Sequence, residues 1–139
     1  MNNHPTKIND LAFGFEEEDK ILPILKEYFK NDNITKTTAQ NNLFDYECEG
    51  LKIELKSRRI NHNKYDSLIF GKNKYIEGLN HINNNNEVYF IFNCLDGLYL
   101  WKQNPQQIPQ FKKGGRFDRG KPEVQDLAHI KIEWLTKIN

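Results

Sequence analysis

Cysteine is nearly missing from this chain: Cys48 and Cys94 are the only two in 139 residues. Two cysteines are too few for the disulfide framework of a small secreted domain. Both sit inside apolar, strand-like runs, so they read as buried, reduced thiols. An excess of charge of either sign is also missing. Twenty Lys and Arg stand against nineteen Asp and Glu, a net charge of +1. Bulk charge therefore neither points to a polyanionic partner nor excludes one, and any nucleic-acid surface has to come from local clusters. No apolar run approaches the ~18 residues of a membrane span, and the opening "MNNHPTKIND" carries no apolar signal segment. The expectation is a soluble, intracellular protein with no membrane partner.

What is present suffices for one core. Hydrophobic residues make up 37% of the chain and aromatics 12%, which argues against disorder of the whole. The length suits a single domain over residues 1–139. The Asn-rich patches, such as Asn83 to Asn86, read as surface loops.

Periodicity predicts a helix from about Glu16 to Phe29, with Ile21, Leu22, Leu25, Tyr28 and Phe29 on one face and Pro23 away from it. "NITKTT" (33–38) is rich in β-formers, and "LFDYECEGLKIELKSRR" (43–59) alternates as a hairpin. "SLIF" (67–70) is apolar but of uncertain type. A second helix is expected over Lys72–Ile82, with Tyr75, Ile76, Leu79 and Ile82 on one face and Gly78 weakening it. "EVYFIFN" (87–93) is continuously apolar, as a central strand covered on both faces would be. Asp96-Gly97 then turns the chain into "LYLWK". Proline and glycine through "QNPQQIPQFKKGGRFDRGKPE" predict a largely irregular stretch before "HIKIEW". Helices and strands interleave, so the economical architecture is α/β, with helices around one mixed sheet. Trp101 and Trp134 are read as packing residues.

The hairpin carries the first chemical signal. A two-residue turn at Glu49-Gly50 pairs Cys48 with Leu51 and sets Asp45 opposite Glu54, with Cβ atoms roughly 5 Å apart. Lys56 shares that face. Phe44, Tyr46, Cys48, Leu51, Ile53 and Leu55 would take the other. Like charges facing each other across a sheet are destabilising. Mg²⁺ or Mn²⁺, which favour carboxylate and carbonyl oxygens, would compensate. The alternative is a solvated face neutralised by Lys52 and Lys56. The first helix favours the former. At ~100° per residue from Ile21, the apolar face covers about −20° to +100° and Glu18 falls near +60°. Glu17 lies at the edge, while Glu16 and Asp19 point outward. An acid on the core side is not explained by its favourable place near a helix N-terminus. It would reach the Asp45/Glu54 cluster if that helix end leans over the sheet.

Basic residues cluster twice. "KSRR" places Arg58 and Arg59 just past the acids, and "FKKGGRFDRGK" carries Lys112, Lys113, Arg116, Arg119 and Lys121. Arginine grips phosphate bidentately, and glycine lets backbone N–H groups approach it. Phe111 and Phe117 offer stacking surfaces. A solvated surface loop is the alternative. His4, His62, His81 and His129 show no metal-ligand spacing, and His62 reads as a surface residue.

Asp45, eight intervening residues, then Glu54-Leu55-Lys56, preceded by a helix bearing Glu18, resembles the PD-(D/E)XK nuclease superfamily. The element order is similar to that superfamily's αβββαβ restriction-endonuclease-like core, here with an extra C-terminal hairpin strand and basic loop. "FGFEEEDKILPIL", "IELKSR", "YFIFNCLDGLY" and "GGRFDRGK" resemble small nuclease-like proteins of phages and giant DNA viruses, and a viral protein would act inside its host cell. Asp45 follows Phe44 rather than proline, a common departure. The resemblance implies metal-dependent phosphodiester hydrolysis. Asp45, Glu54 and the Leu55 carbonyl would hold Mg²⁺ or Mn²⁺, and Glu18 would serve the outer shell or a second ion. Lys56 would orient water or stabilise charge on phosphate. Arg116, Arg119 and Lys121 would lie on the substrate side. Lys74 would neutralise the site or touch phosphate, and residues 65–67 also match family positions. DNA is the expected partner and RNA the second choice. Junction resolution by a homodimer is a sub-option resting on size. Two other classes compete: a non-catalytic nucleic-acid-binding or inhibitory protein on the same fold, and a plain α/β interaction module.

Overall fold

A computed structural model describes residues 5–38, 43–116 and 123–139, and among these all side chains except those of 5–16, 115, 116, 123 and 124. In chain order the elements begin with α1 (Pro5–Phe29), β1 (Thr35–Lys36), β2 (Tyr46–Cys48), β3 (Leu51–Ser57), β4 (Ser67–Gly71) and α2 (Lys72–Asn83). There follow β5 (Glu87–Cys94), β6 (Gly97–Lys102), β7 (Gln110–Arg116), β8 (Glu123–Lys131), a 3-10 turn and β9 (Thr136–Lys137). Six strands form a mixed sheet in the order β1-β2-β3-β5-β6-β9, and three form a second sheet, β4-β8-β7. The β3–β5 pair is parallel, with α2 in the crossover, while the other pairs are antiparallel. The mixed central sheet flanked by helices is the architecture expected from the interleaved elements.

The apolar run of β5 explains the layering. Val88, Phe90, Phe92 and Cys94 turn to one face and join Leu68, Phe70, Trp101, Ala128 and Ile130 beneath α2 and the second sheet. Ile91 turns to the other face and joins Ile21, Leu25, Tyr46 and Ile53 beneath α1. The sheet is buried on both sides, so β5 has no polar face to show. Cys94 is buried and Cys48 half-buried, both as free thiols.

Several elements depart from expectation for visible reasons. Helix α1 begins at Pro5, eleven residues before Glu16. Proline suits a first helical turn, where its missing N–H has no partner to lose. Pro23 lies inside the helix on its exposed side, as the wheel places it, while Tyr28 is exposed rather than part of the core. On α2, Tyr75 and Ile82 pack inward but Ile76 and Leu79 are exposed. The buried face is centred instead on Gly78, where an added Cβ would lie 2.0 Å from Gln103 Oε1. The absent side chain lets α2 close onto the end of β6, and Gln103 Nε2 donates to the Tyr75 carbonyl at 3.0 Å. The β5–β6 turn is Leu95-Asp96, one residue earlier than expected, because Gly97 already pairs with Cys94. The stretch read as irregular contains β7. Its glycines do not break the strand because each residue from Gln110 to Arg116 is paired with β8.

Candidate active site

The β2–β3 hairpin keeps the expected register. Cys48 faces Leu51, Glu47 faces Lys52 and Tyr46 faces Ile53, across a turn whose Gly50 has φ +77°. Alternation then fails at one place. Phe44 does not join Tyr46 beneath α1 but packs on the opposite side against Phe90 and His81. The chain bends at Asp45, and β2 starts only at Tyr46. The bend leaves the Asp45 carboxylate at the sheet edge, where Oδ2 accepts from the Leu55 N–H at 2.8 Å. It takes the position a strand carbonyl would have held. The Asp45 carbonyl meanwhile accepts from Thr37 N at 2.9 Å. A strand residue sends its N–H and C=O to the same side, so the Leu55 carbonyl opens toward the same gap.

Glu54 sits on the α2 side of β3, 5% exposed. Its Oε2 lies 3.2 Å from Lys56 Nζ and 4.0 Å from Lys74 Nζ. Among the described residues its Oε1 is buried without a hydrogen-bond partner. Burial first, and the Asp45 charge second, push its pKa up to about 7, against the opposing pull of Lys56 and Lys74. Lys74, in the first turn of α2, also meets Glu77 at 3.2 Å and lies over the Phe44 ring at 5.1 Å. Glu77 was not singled out from sequence. Its signal was the three-residue spacing from Lys74 on a helix.

Glu18 approaches from the other side. Burial and then the charge of Asp45 raise its pKa, and Lys36 lowers it. The Tyr46 hydroxyl donates to the Glu18 carbonyl at 2.7 Å and pins this turn of α1 over β2. Asp45 thus stands between an acid on each face of the sheet, Glu54 on one and Glu18 on the other. Glu17, placed at the edge of the apolar face, accepts from Asn93 Nδ2 at 3.0 Å. Asn93 is paired with Ser57 at the ends of β5 and β3. Sequence reasoning missed Asn93 and Ser57; a polar residue closing an apolar central strand was the available hint.

The phage putative PDDEXK endonuclease family matches residues 18–138. The chain belongs to that family. No curated protein matches it, and no solved structure does. Membership makes the protein nuclease-like and ties it to phages, and the matched span takes in the acids, both lysines and the basic stretch.

The remaining candidates separate. Arg58 is half-buried, and its guanidinium donates to the Ser57 carbonyl at 3.0 Å and to that of Ile69. It ties the end of β3 to β4. Arg59 is exposed. Arg116 ends β7 opposite Glu123, but its side chain lies outside the described residues, as do Phe117, Arg119 and Lys121. His62 is held by Asp96, Nδ1 to Oδ2 at 2.6 Å, and stacks on Tyr99, which keeps it out of the acid cluster.

Among the described residues, no three His, Cys, Asp or Glu side chains form a ready-made metal cage. The donors present nevertheless suit a hard cation. Mg²⁺ keeps several waters and is commonly held by one or two carboxylates. Asp45 and Glu54 supply two, the Leu55 carbonyl opens beside them, and Glu54 Oε1 is an unpartnered buried oxygen.

Proposed function

We propose that this PDDEXK family member is a divalent-cation-dependent endonuclease that hydrolyses phosphodiester bonds in DNA. The observation that carries the reading is the buried Glu54 with its unpartnered oxygen, next to Asp45 and flanked by two lysines. A buried carboxylate without a full set of partners costs stability, and such groups cluster at ligand and reaction sites.

Asp45, Glu54 and the Leu55 carbonyl would hold Mg²⁺ or Mn²⁺, with Glu18 near enough to Asp45 to orient the outer shell or serve a second ion. The bound ion supplies a polarised phosphoryl group and a water of lowered pKa. Lys56 is already aligned on Glu54 and offers a compact positive charge where negative charge builds on the phosphate. Lys74 holds Glu54 from the helix side and keeps the site from carrying its full negative charge. Asp45, anchored by the Leu55 N–H, keeps its carboxylate directed into the gap.

The test is incubation with linear, nicked and four-way-branched DNA, and with RNA, in Mg²⁺, Mn²⁺ or EDTA. Metal-dependent cleavage of DNA that is lost in Asp45→Ala and Glu54→Ala supports the reading. Absence of cleavage on every substrate in both metals removes it. Faster cutting of branched than of linear DNA, together with a dimer in sedimentation, would make junction resolution the specific activity.

A further inference from the structure

The outer face of the second sheet carries a second constellation, away from the acids. On β8, Ala128 and Ile130 turn into the core, so His129 and Lys131 turn outward. On β4, Leu68 and Phe70 turn inward, so Ser67 and Ile69 turn outward. Two cavities open on this face. One, of about 400 Å³, is almost wholly apolar and is walled by Arg58, Ile60, Tyr65, Leu68 and Ile69. The other, of about 250 Å³, is of mixed character and is walled by the polar side chains of Gln110, Lys112 and Lys131, with Asp66 and Glu133. Ser67 and His129 line both. They are bonded to each other, Oγ to Nδ1, at 2.8 Å. That bond fixes the imidazole as the partition between the two spaces and leaves Nε2 as the nitrogen able to meet a ligand.

We propose that this paired cavity grips one unpaired nucleotide of the nucleic-acid substrate, base in the apolar slot and phosphate beside Lys112 and Lys131. The proposal rests on the nuclease reading above and adds the substrate class: nucleic acid with a single-stranded or branched segment. An apolar slot ending in hydrogen-bonding groups matches a base, which is flat, apolar on its faces and polar at its edge. Tyr65 is 60% exposed, a large ring the core does not use and one suited to stacking. Bases inside a duplex are already stacked and paired, so such a slot selects a base that is free. The adjoining lysines match the phosphate of the same nucleotide. Asp66 and Glu133 line that second cavity too, which limits it to one phosphate and leaves most of the binding to the base. Arg58, which lines the slot, follows Lys56 by two residues, so the chain leaving β3 links this face to the proposed site of cleavage.

The test measures binding by anisotropy in EDTA, with labelled dT10, U10 and a ten-base-pair duplex, and with free dTMP as competitor. Cleavage by the wild-type protein is scored separately in Mg²⁺. Expected are tighter binding of a single strand than of duplex, a loss of about tenfold for single strand in Tyr65→Ala, and duplex binding changed less than twofold. Tyr65→Phe should restore single-strand binding. Lys112→Ala with Lys131→Ala should lower the salt slope by about one. Equal losses on single strand and duplex, no loss in Tyr65→Ala, or no competition by free dTMP against dT10 would overturn the proposal. Cleavage that persists with no dependence of binding on Tyr65 would leave the nuclease reading standing and remove this one.

Discussion

The two ends of the β2–β3 hairpin carry nearly the same residues and behave differently. At the turn end, Glu47 faces Lys52 and the pair meets at 2.8 Å, with Glu47 41% exposed. At the open end, Glu54 meets Lys56 at 3.2 Å but is buried, and its pKa is raised to about 7. Both pairs lie on the same face of the same strands. What separates them is cover. Phe44, swung across by the bend at Asp45, and the first turn of α2 with Lys74 close over Glu54. Glu47 stays open to solvent, although His81 near the end of α2 lies within electrostatic reach of it. Cover converts an ordinary ion pair into a carboxylate whose charge is costly, and that cost makes it suited to a cation.

The largest effect should come from deleting the acids at each end in turn. Glu54→Ala or Asp45→Ala should lower cleavage by about a hundred- to a thousandfold, the scale of losing a group that stabilises transition-state charge. Glu47→Ala should leave the rate within about twofold, measured on a linear substrate under single-turnover conditions. Equal losses at the two ends would erase the distinction.

A second contrast is in pH. Because the Glu54 pKa rises from 4.5 unfolded to about 7 folded, the native state holds the extra proton between those values. Its contribution to stability is therefore greatest below about pH 4.5 and falls as pH rises toward 7. In metal-free buffer, Glu54→Gln should be more stable than wild type at pH 8 than at pH 5 by an amount on the order of 3 kcal/mol, measured by urea denaturation. Mg²⁺ should shrink that gap by stabilising the wild-type protein alone.

The lid itself can be loosened. Gly78→Ala places a Cβ on the Gln103 amide and should cost about 1–3 kcal/mol, despite the better helix propensity of alanine. If α2 is what buries Glu54, the pH dependence of stability should weaken in the same variant. Destabilisation with an unchanged pH profile would assign the burial to Phe44 instead. The smallest effect is expected at the turn end, where Lys52→Ala should cost less than about 1 kcal/mol.

The hairpin shows how far the sequence could be read. Alternation and the Glu49-Gly50 turn specified the register, because side chains on a strand repeat every two residues and a slip would expose the whole apolar set. The helical angle of Glu18 marked an acid out of place, and Asp45 does raise its pKa. The position of Phe44 was not legible. A bend one residue before a strand leaves no periodic trace. Asn93 and Ser57 were missed because they are unremarkable in sequence and meet only through the parallel pairing of β3 with β5. The second sheet was missed because glycines in β7 mimic a loop, and only pairing with β8 makes them a strand.

By itself, the sequence determined the two-faced hairpin, the doubly buried central strand and the mixed α/β order. These follow from local periodicity and spacing, which each segment carries alone. Tertiary structure decided which of the hairpin's acids is buried, that Asp45 lies in the edge of the sheet between Glu18 and Glu54, and that Arg58 braces β4. Burial and electrostatic coupling depend on what distant segments bring over a residue, and no local pattern encodes that.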